Sequence, residues 1–328
     1  MRLLIYEPAL RRIEAKLAPF RDQLQLLAVD RQGGVTCNGE TFDADTAQPD
    51  AGWLSADGVM GPAQRTLMVG LLKAQDLKWV HTGAAGLDHP IWAELVDKGA
   101  VLTTSHGQAP SIAEYVLGEV LGHFQRLGER RAEQAARRWT RLTFREIAGT
   151  SWLIIGFGAI GQGIAKRAKA FGAQIAGVRR SGAPDPLAER MGALAEVKSL
   201  LPAADVVVLA TPLNQETSGM ADAAFFAAMK PGSVLVNVGR GDLVDEAALL
   251  AALASGIPEH AILDVFHDEP LKGDSPFWDH PKVSMTAHAS AFGSGQAARN
   301  DAVFLENLRR RLAGEPMLYE ADPRDLGR

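Results

Sequence analysis

The sequence predicts an α/β protein made of two doubly wound parallel-sheet domains. Three observations lead there: short apolar runs alternate with helix-period segments, the alternation restarts after residue 150, and a glycine-rich turn follows the first strand of the restart. At 328 residues the chain is long for one hydrophobic core, so two domains are expected.

The first sheet is expected from apolar runs at residues 3–6, 24–29, 52–54 and 77–81, with helical spacing at 9–17 and 64–72. An apolar-periodic segment over 111–127 predicts a helix, with Ser111 as N-cap and Glu114 completing a capping box. A polar, arginine-rich helix is expected over 128–140. With a net charge of −5, its arginines read as solvated or facing another subunit, not as a nucleic-acid surface.

The second sheet is expected from strands at 152–155, 174–178, 205–210, 233–236, 261–265 and 283–287, with helices between them. Residues 101–287 therefore form one domain, and 1–100 with 288–328 the other. A helix over 293–312 and a frayed charged tail from Ala321 complete the chain.

Bulk composition narrows the partners. The chain is 47% hydrophobic and 22% charged, ordinary for a globular protein, and its acidic balance gives no basic footprint for nucleic acid. One cysteine, Cys37, excludes an intrachain disulfide and fits a reducing compartment. It lies in a polar stretch without a sequence-local histidine, so it is not read as a nucleophile. The amino-terminal apolar run is too short for a signal-peptide core, and no stretch reaches the ~20 apolar residues of a bilayer span. A cytoplasmic protein with no membrane partner and no metal site is expected.

Gly156, Gly158 and Gly161 form G-x-G-x-x-G between an apolar strand and an amphipathic helix, the context that makes this motif informative. Gly156 permits the tight turn, Gly158 lets a pyrophosphate approach the backbone, and Gly161 allows the helix to pack on the strand. Ala159 and Ile160 open the helix, whose N-terminus offers oriented N–H groups to phosphates. The next strand ends in Arg179, Arg180 and Ser181, where NAD-binding versions carry an acid for the ribose 2′-hydroxyl. Guanidinium groups and a hydroxyl suit a 2′-phosphate instead. NADP(H) is the expected cofactor, with NAD(H) as the alternative; Thr211, Pro212 and Val238 complete the expected contacts.

Arg240, Glu269 and His288 each fall just past the carboxyl end of an expected parallel strand, where doubly wound sheets bind ligands. Reduction of a 2-keto acid needs a cation for the carboxylate, a proton donor for the carbonyl oxygen, and a hydride. Arg240 offers a planar fork of donors. His288 is cast as the acid–base group, and Glu269 as the anion that holds its ring.

The succession G-x-G-x-x-G, N-x-x-R-G-x-x-V-D-x-x-A-L (237–249), L-D-V-F-x-x-E-P (263–270) and a strand-terminal histidine resembles the D-isomer-specific 2-hydroxyacid dehydrogenases. The resemblance implies a Rossmann cofactor domain inserted into a flavodoxin-like substrate domain, with the active site in a cleft. It assigns Arg240, Glu269 and His288 the roles above and sets Asp264 against the nicotinamide carboxamide. Residues 82–89 resemble the family loop whose backbone N–H groups hold the substrate carboxylate, involving Ala84, Ala85 and Gly86; Ala84 stands where glycine is usual. Related glyoxylate and hydroxypyruvate reductases carry a tryptophan across a homodimer interface, a place Trp139 could take. Leu54 and Phe292 are pocket-wall candidates.

The implied activity is NAD(P)H-dependent reduction of a small 2-keto acid, similar to glyoxylate or hydroxypyruvate, to the D-2-hydroxy acid. A bulkier keto acid such as phenylpyruvate is the alternative substrate. Formate dehydrogenases of similar pattern place an amide where Glu269 stands. Phosphoglycerate dehydrogenases often carry a regulatory domain for which this chain has no room. Corepressors of the same fold, which sense the dinucleotide, are the alternative from another class.

Overall fold

Near-continuous apolar runs, the mark of strands covered on both faces, become the centres of two sheets in the computed structural model, which describes residues 1–84 and 86–326. The chain divides into two units, Met1–Gln108 together with the segment from Ser294 onward, and Ala109–Gly293. The first contains β1 (Arg2–Tyr6), α1 (Glu7–Leu17), β2 (Gln25–Val29), β3 (Val35–Cys37), β4 (Glu40–Phe42), β5 (Ala51–Leu54), α2 (Ala56–Val59), α3 (Gln64–Lys73), β6 (Trp79–Thr82), α4 (Pro90–Asp97) and β7 (Val101–Thr103). Its strand order is β4-β3-β2-β1-β5-β6-β7. The β2-β1-β5-β6-β7 part is parallel and has the flavodoxin-like order, while β3 and β4 add an antiparallel edge.

The second unit contains α5 (Ala109–Phe124), α6 (Leu127–Ala135), β8 (Ser151–Ile155), α7 (Ala159–Ala170), β9 (Gln174–Val178), β10 (Arg190–Gly192), α8 (Val197–Leu200), β11 (Val206–Leu209), α9 (Ala223–Ala228), β12 (Val234–Asn237), α10 (Glu246–Ser255), β13 (His260–Leu263) and β14 (Val283–Met285). All seven strands are parallel, in the order β10-β9-β8-β11-β12-β13-β14. The winding reverses between β8 and β11, the switch point at which such sheets bind ligands. Alternate residues of each strand enter opposite cores: Leu153, Ile155, Val207 and Leu209 on one face, Trp152, Ile154, Val206 and Val208 on the other.

The chain then returns to the first unit as α11 (Gln296–Ala313). Phe304 of this helix stacks on Trp53, with centroids 4.0 Å apart, and lies 5.7 Å from Trp79. Phe304 and the sheet thus share one core. Among the described residues, no helix is long and apolar enough to cross a membrane.

Several expectations need correction. The helix expected from Ser111 begins at Ala109, because Pro110 is suited to a first helical turn; Ser111 and Glu114 therefore form no capping box. The polar helix stops at Ala135, not 140: Arg137 adopts φ 54°, and Arg138 and Thr140 fold back onto the Glu133 carboxylate. β7 pairs with β6, so residues 101–103 extend the first sheet where the sequence began the second domain. The tail is docked, with Ala321 N–H donating to Leu102 O and Leu326 buried. Cys37, expected in a polar stretch, is buried on β3.

Candidate active site

β8 leads directly into the glycine turn. Gly156 has φ +97°, and a Cβ there would stand 2.4 Å from the Ala210 carbonyl, so no other residue fits. A Cβ on Gly161 would stand 2.2 Å from Gly156 O, which lets α7 start against the strand. Gly158 differs: a Cβ would meet nothing within 4 Å. Internal packing therefore does not require glycine at 158, while the approach of a pyrophosphate to the backbone would. Ala159 and Ile160 form the half-buried first turn of α7. On these grounds the turn fits a dinucleotide.

At the end of β9 the two arginines separate. The Arg179 guanidinium donates to the carbonyls of Ala183 and Pro184 at 2.6–2.9 Å and lies 3.5 Å from the Asp185 carboxylate. Asp185 in turn accepts from Leu187 N–H and from Gln162 Nε2 of α7. Arg179 thus shapes its own turn. Arg180 and Ser181 are exposed on it, with Ser181 Oγ accepting from Ala183 N–H. Thr211 and Pro212 follow β11, and buried Val238 follows β12.

Arg240, Glu269 and His288 follow three successive strands, β12, β13 and β14. Asn237 closes β12: its Oδ1 accepts from Gly239 N–H at 3.0 Å and its Nδ2 donates to Arg240 O at 2.8 Å. This brace presents Arg240, half-buried, whose Nη1 also donates to Gly239 O. After β13, Glu269 Oε1 accepts from Phe266 N–H at 3.0 Å, which fixes the carboxylate. Its Oε2 lies 2.7 Å from His288 Nδ1. With Nδ1 committed to Glu269, Nε2 is the ring nitrogen available for proton exchange with a ligand.

His288 sits after β14 in a left-handed conformation, φ 50°, which a non-glycine residue adopts only when its surroundings impose it. Asp264 imposes it. Its backbone carbonyl accepts from His288 N–H at 2.7 Å. Its carboxylate, 1% exposed, accepts from Thr286 Oγ1 at 2.6 Å, Ala289 N–H at 2.8 Å, Ser290 N–H at 3.1 Å and the Ser290 hydroxyl. Thr286 Oγ1 in turn lies 3.0 Å from Tyr115 OH, a phenol that burial holds well above its usual range. Asp264 was expected against the nicotinamide carboxamide; the bonds it makes here go to the turn that carries His288.

In the first unit, Leu54 is buried at the end of β5. Ala84 and Gly86 are half-buried after β6, Ala84 N–H donates to Thr82 Oγ1 at 3.1 Å, and Ala85 lies outside the described residues. Phe292 and Trp139 are exposed, Trp139 at 96% and beyond the end of α6. Asn237, Thr286, Ser290 and Tyr115 had no expected role. Asn237 stands inside the motif of Arg240, and Thr286 and Ser290 flank His288 by two residues; Tyr115 carries no local signal.

Residues 117–290 match the family model described as "D-isomer specific 2-hydroxyacid dehydrogenase, NAD binding domain". Among curated relatives, the chain is 35% identical to a D-3-phosphoglycerate dehydrogenase from Mycobacterium leprae, over 75% of this chain and 47% of that protein. It thus spans about half the length of that relative. A (S)-sulfolactate dehydrogenase from Chromohalobacter salexigens is 31% identical over 90% of this chain and 97% of its own. Among solved structures, an NADPH-dependent glyoxylate/hydroxypyruvate reductase from Sinorhizobium meliloti, in complex with NADP and sulfate, superposes with a TM-score of 0.76 at 26% identity, covering 98% of this chain and 99% of that one.

Proposed function

The chain belongs to the D-isomer-specific 2-hydroxyacid dehydrogenase family, and from that premise we propose that it reduces a small 2-keto acid, of the glyoxylate or hydroxypyruvate kind, to the D-2-hydroxy acid with NADPH. The observation that carries the reading is the 2.7 Å pair between Glu269 Oε2 and His288 Nδ1, set on strand ends next to that of Arg240.

The cofactor, held at Gly156–Gly161 and the first turn of α7, supplies the hydride when bound. Arg240 binds the substrate carboxylate with its guanidinium fork. In the first unit, the loop with the backbone N–H groups of Ala84 and Gly86 is the one that the family resemblance implies for holding a carboxylate. His288 Nε2 delivers a proton to the carbonyl oxygen as the carbon is reduced, so that C=O becomes CH–OH. Glu269 fixes the ring through Nδ1 and offsets its charge while the proton is held. Asp264 fixes the backbone on which the ring stands.

Arg180 and Ser181 bind the 2′-phosphate that distinguishes NADP(H), and Arg179 holds the turn that presents them. The absence of an acid at the end of β9 and the NADP-bound Sinorhizobium structure support this preference. The sulfolactate dehydrogenase relative favours a second substrate reading, a keto acid with an additional anionic group. A cytoplasmic homodimer completes the proposal, with Trp139 covered by a second copy.

The test is consumption of NADPH and of NADH by the purified protein with glyoxylate, hydroxypyruvate, pyruvate, phenylpyruvate and sulfopyruvate, followed by chiral analysis of any product that bears a stereocentre. Turnover to the D-acid with NADPH favoured is the expected result. An L-product would contradict the assigned geometry. Tight dinucleotide binding without turnover of any keto acid would move the reading to a sensor.

A further inference from the structure

Asn300, on the second turn of α11, lies outside the residues to which the proposed reaction gives a role. It is 4% exposed and wedged between two glycines that follow adjacent strands, Gly83 after β6 and Gly107 after β7. A Cβ on Gly107 would stand 1.9 Å from Asn300 Oδ1, and one on Gly83 would stand 3.2 Å from Asn300 Nδ2. The slot therefore exists because both neighbours lack side chains.

The rest of the slot is polar. Asn300 Oδ1 accepts from Ser105 Oγ at 2.6 Å, and Ser105 Oγ accepts from Gly107 N–H at 3.0 Å. Gly83 is held at both ends: its N–H donates to Leu54 O at 3.1 Å, and its carbonyl accepts from Gln108 Nε2 at 2.8 Å. Asn300 Nδ2 is buried without a hydrogen-bond partner. A buried unpaired donor costs roughly 1–3 kcal/mol, so structural economy alone would favour an apolar side chain there.

We propose that Asn300 is a positioning residue for the carboxylate-binding loop: it packs against Gly83 at the root of that loop and presents an N–H donor there, not an acceptor. This rests on the function proposed above. It explains why an amide fills the slot. A hydrophobic residue would lose the Ser105 bond, and a carboxylate would keep that bond but set a negative charge behind an anion site.

Asn300→Asp is therefore the decisive variant, because it preserves the shape and the acceptor for Ser105. It is expected to raise KM for the keto acid by about tenfold or more, with kcat and the NADPH dissociation constant little changed. KM for the methyl ester of the same acid, which carries no charge, is expected to stay near the wild-type value. Equal losses on acid and ester would show a merely structural role and overturn the inference, while leaving the reductase reading intact.

Ser105→Ala, a milder change, should raise KM in the same direction. A second readout does not depend on turnover. Amide hydrogen exchange at Gly83, Ala84, Gly86 and Leu87 should quicken in Asn300→Ala while exchange in β6 does not. If the wild-type protein reduces no keto acid, the reductase reading fails, and exchange alone decides: faster exchange in that loop sustains the positioning role, and unchanged exchange overturns it.

Discussion

Replacing Asp264 by alanine tests the proposed support of the acid–base histidine. The substitution removes the acceptor of the Ala289 and Ser290 N–H groups and of the Thr286 and Ser290 hydroxyls. Hydroxyls can turn to other partners; the two backbone groups cannot, and each unpaired N–H costs roughly 1–3 kcal/mol. The left-handed backbone of His288 adds ~1–2 kcal/mol in favour of relaxation once its restraint weakens. The turn carrying the ring therefore loses on the order of 3–8 kcal/mol of support, part of it recovered by local rearrangement. The expected outcome is a fall in kcat/KM of about a hundredfold and in unfolding free energy of about 2–4 kcal/mol. Asp264→Asn keeps one acceptor oxygen and should fall between, at about tenfold. Steady-state NADPH oxidation and urea unfolding measure the two effects. An alanine variant within about threefold of wild type in kcat/KM would refute the role given to Asp264.

Other outcomes follow from the same geometry. Gly158→Ala should leave urea stability within about 0.5 kcal/mol of wild type while weakening dinucleotide binding measured by calorimetry; Gly161→Ala should lower stability itself, since its Cβ would strike Gly156 O. Arg180→Ala should reduce the preference for NADP over NAD in the same titrations, whereas Arg179→Ala, which loosens the turn, should weaken both cofactors. Acid lability is expected from two histidines: burial lowers His81 to about 3, and burial together with the His123 charge lowers His260 to about 4. Both stay neutral in the folded protein but take up a proton on unfolding below ~6.5. Their contribution is thus complete above that pH and is lost as pH falls toward 4 and 3, at up to ~1.4 kcal/mol per pH unit for each. Urea unfolding at successive pH values should show the slope, and His81→Gln should flatten it.

What the sequence disclosed follows from which features are local. The second sheet was legible because its central strands are buried on both faces and read as unbroken apolar runs, and the glycine turn because three backbone demands fall within six residues. The β3–β4 hairpin was missed although its signal is present. Asn38 and Gly39, at φ 51° and 86°, form the turn between them, but strands of three residues give no period to recognise. β10 was missed for the same reason. α4 announces itself only by Pro90 at its first position and His89 as its cap. The residues proposed to bear the chemistry, and Asp264 as a proposed cofactor contact, stand in local motifs, whereas most of the partners that hold them do not. Asp264 gathers donors from 22 to 26 residues away, and Asn300 meets Ser105 across 195, distances at which no spacing rule operates.

In the proposed function His288, held by Glu269, protonates a keto acid as it is reduced. The direct test compares NADPH oxidation with glyoxylate or hydroxypyruvate by wild type and by His288→Ala, with NADPH affinity measured for both. The expected result is turnover by wild type and a loss of kcat of ~10²–10⁴-fold in the variant, at unchanged cofactor affinity. Undiminished turnover by the variant would contradict the account.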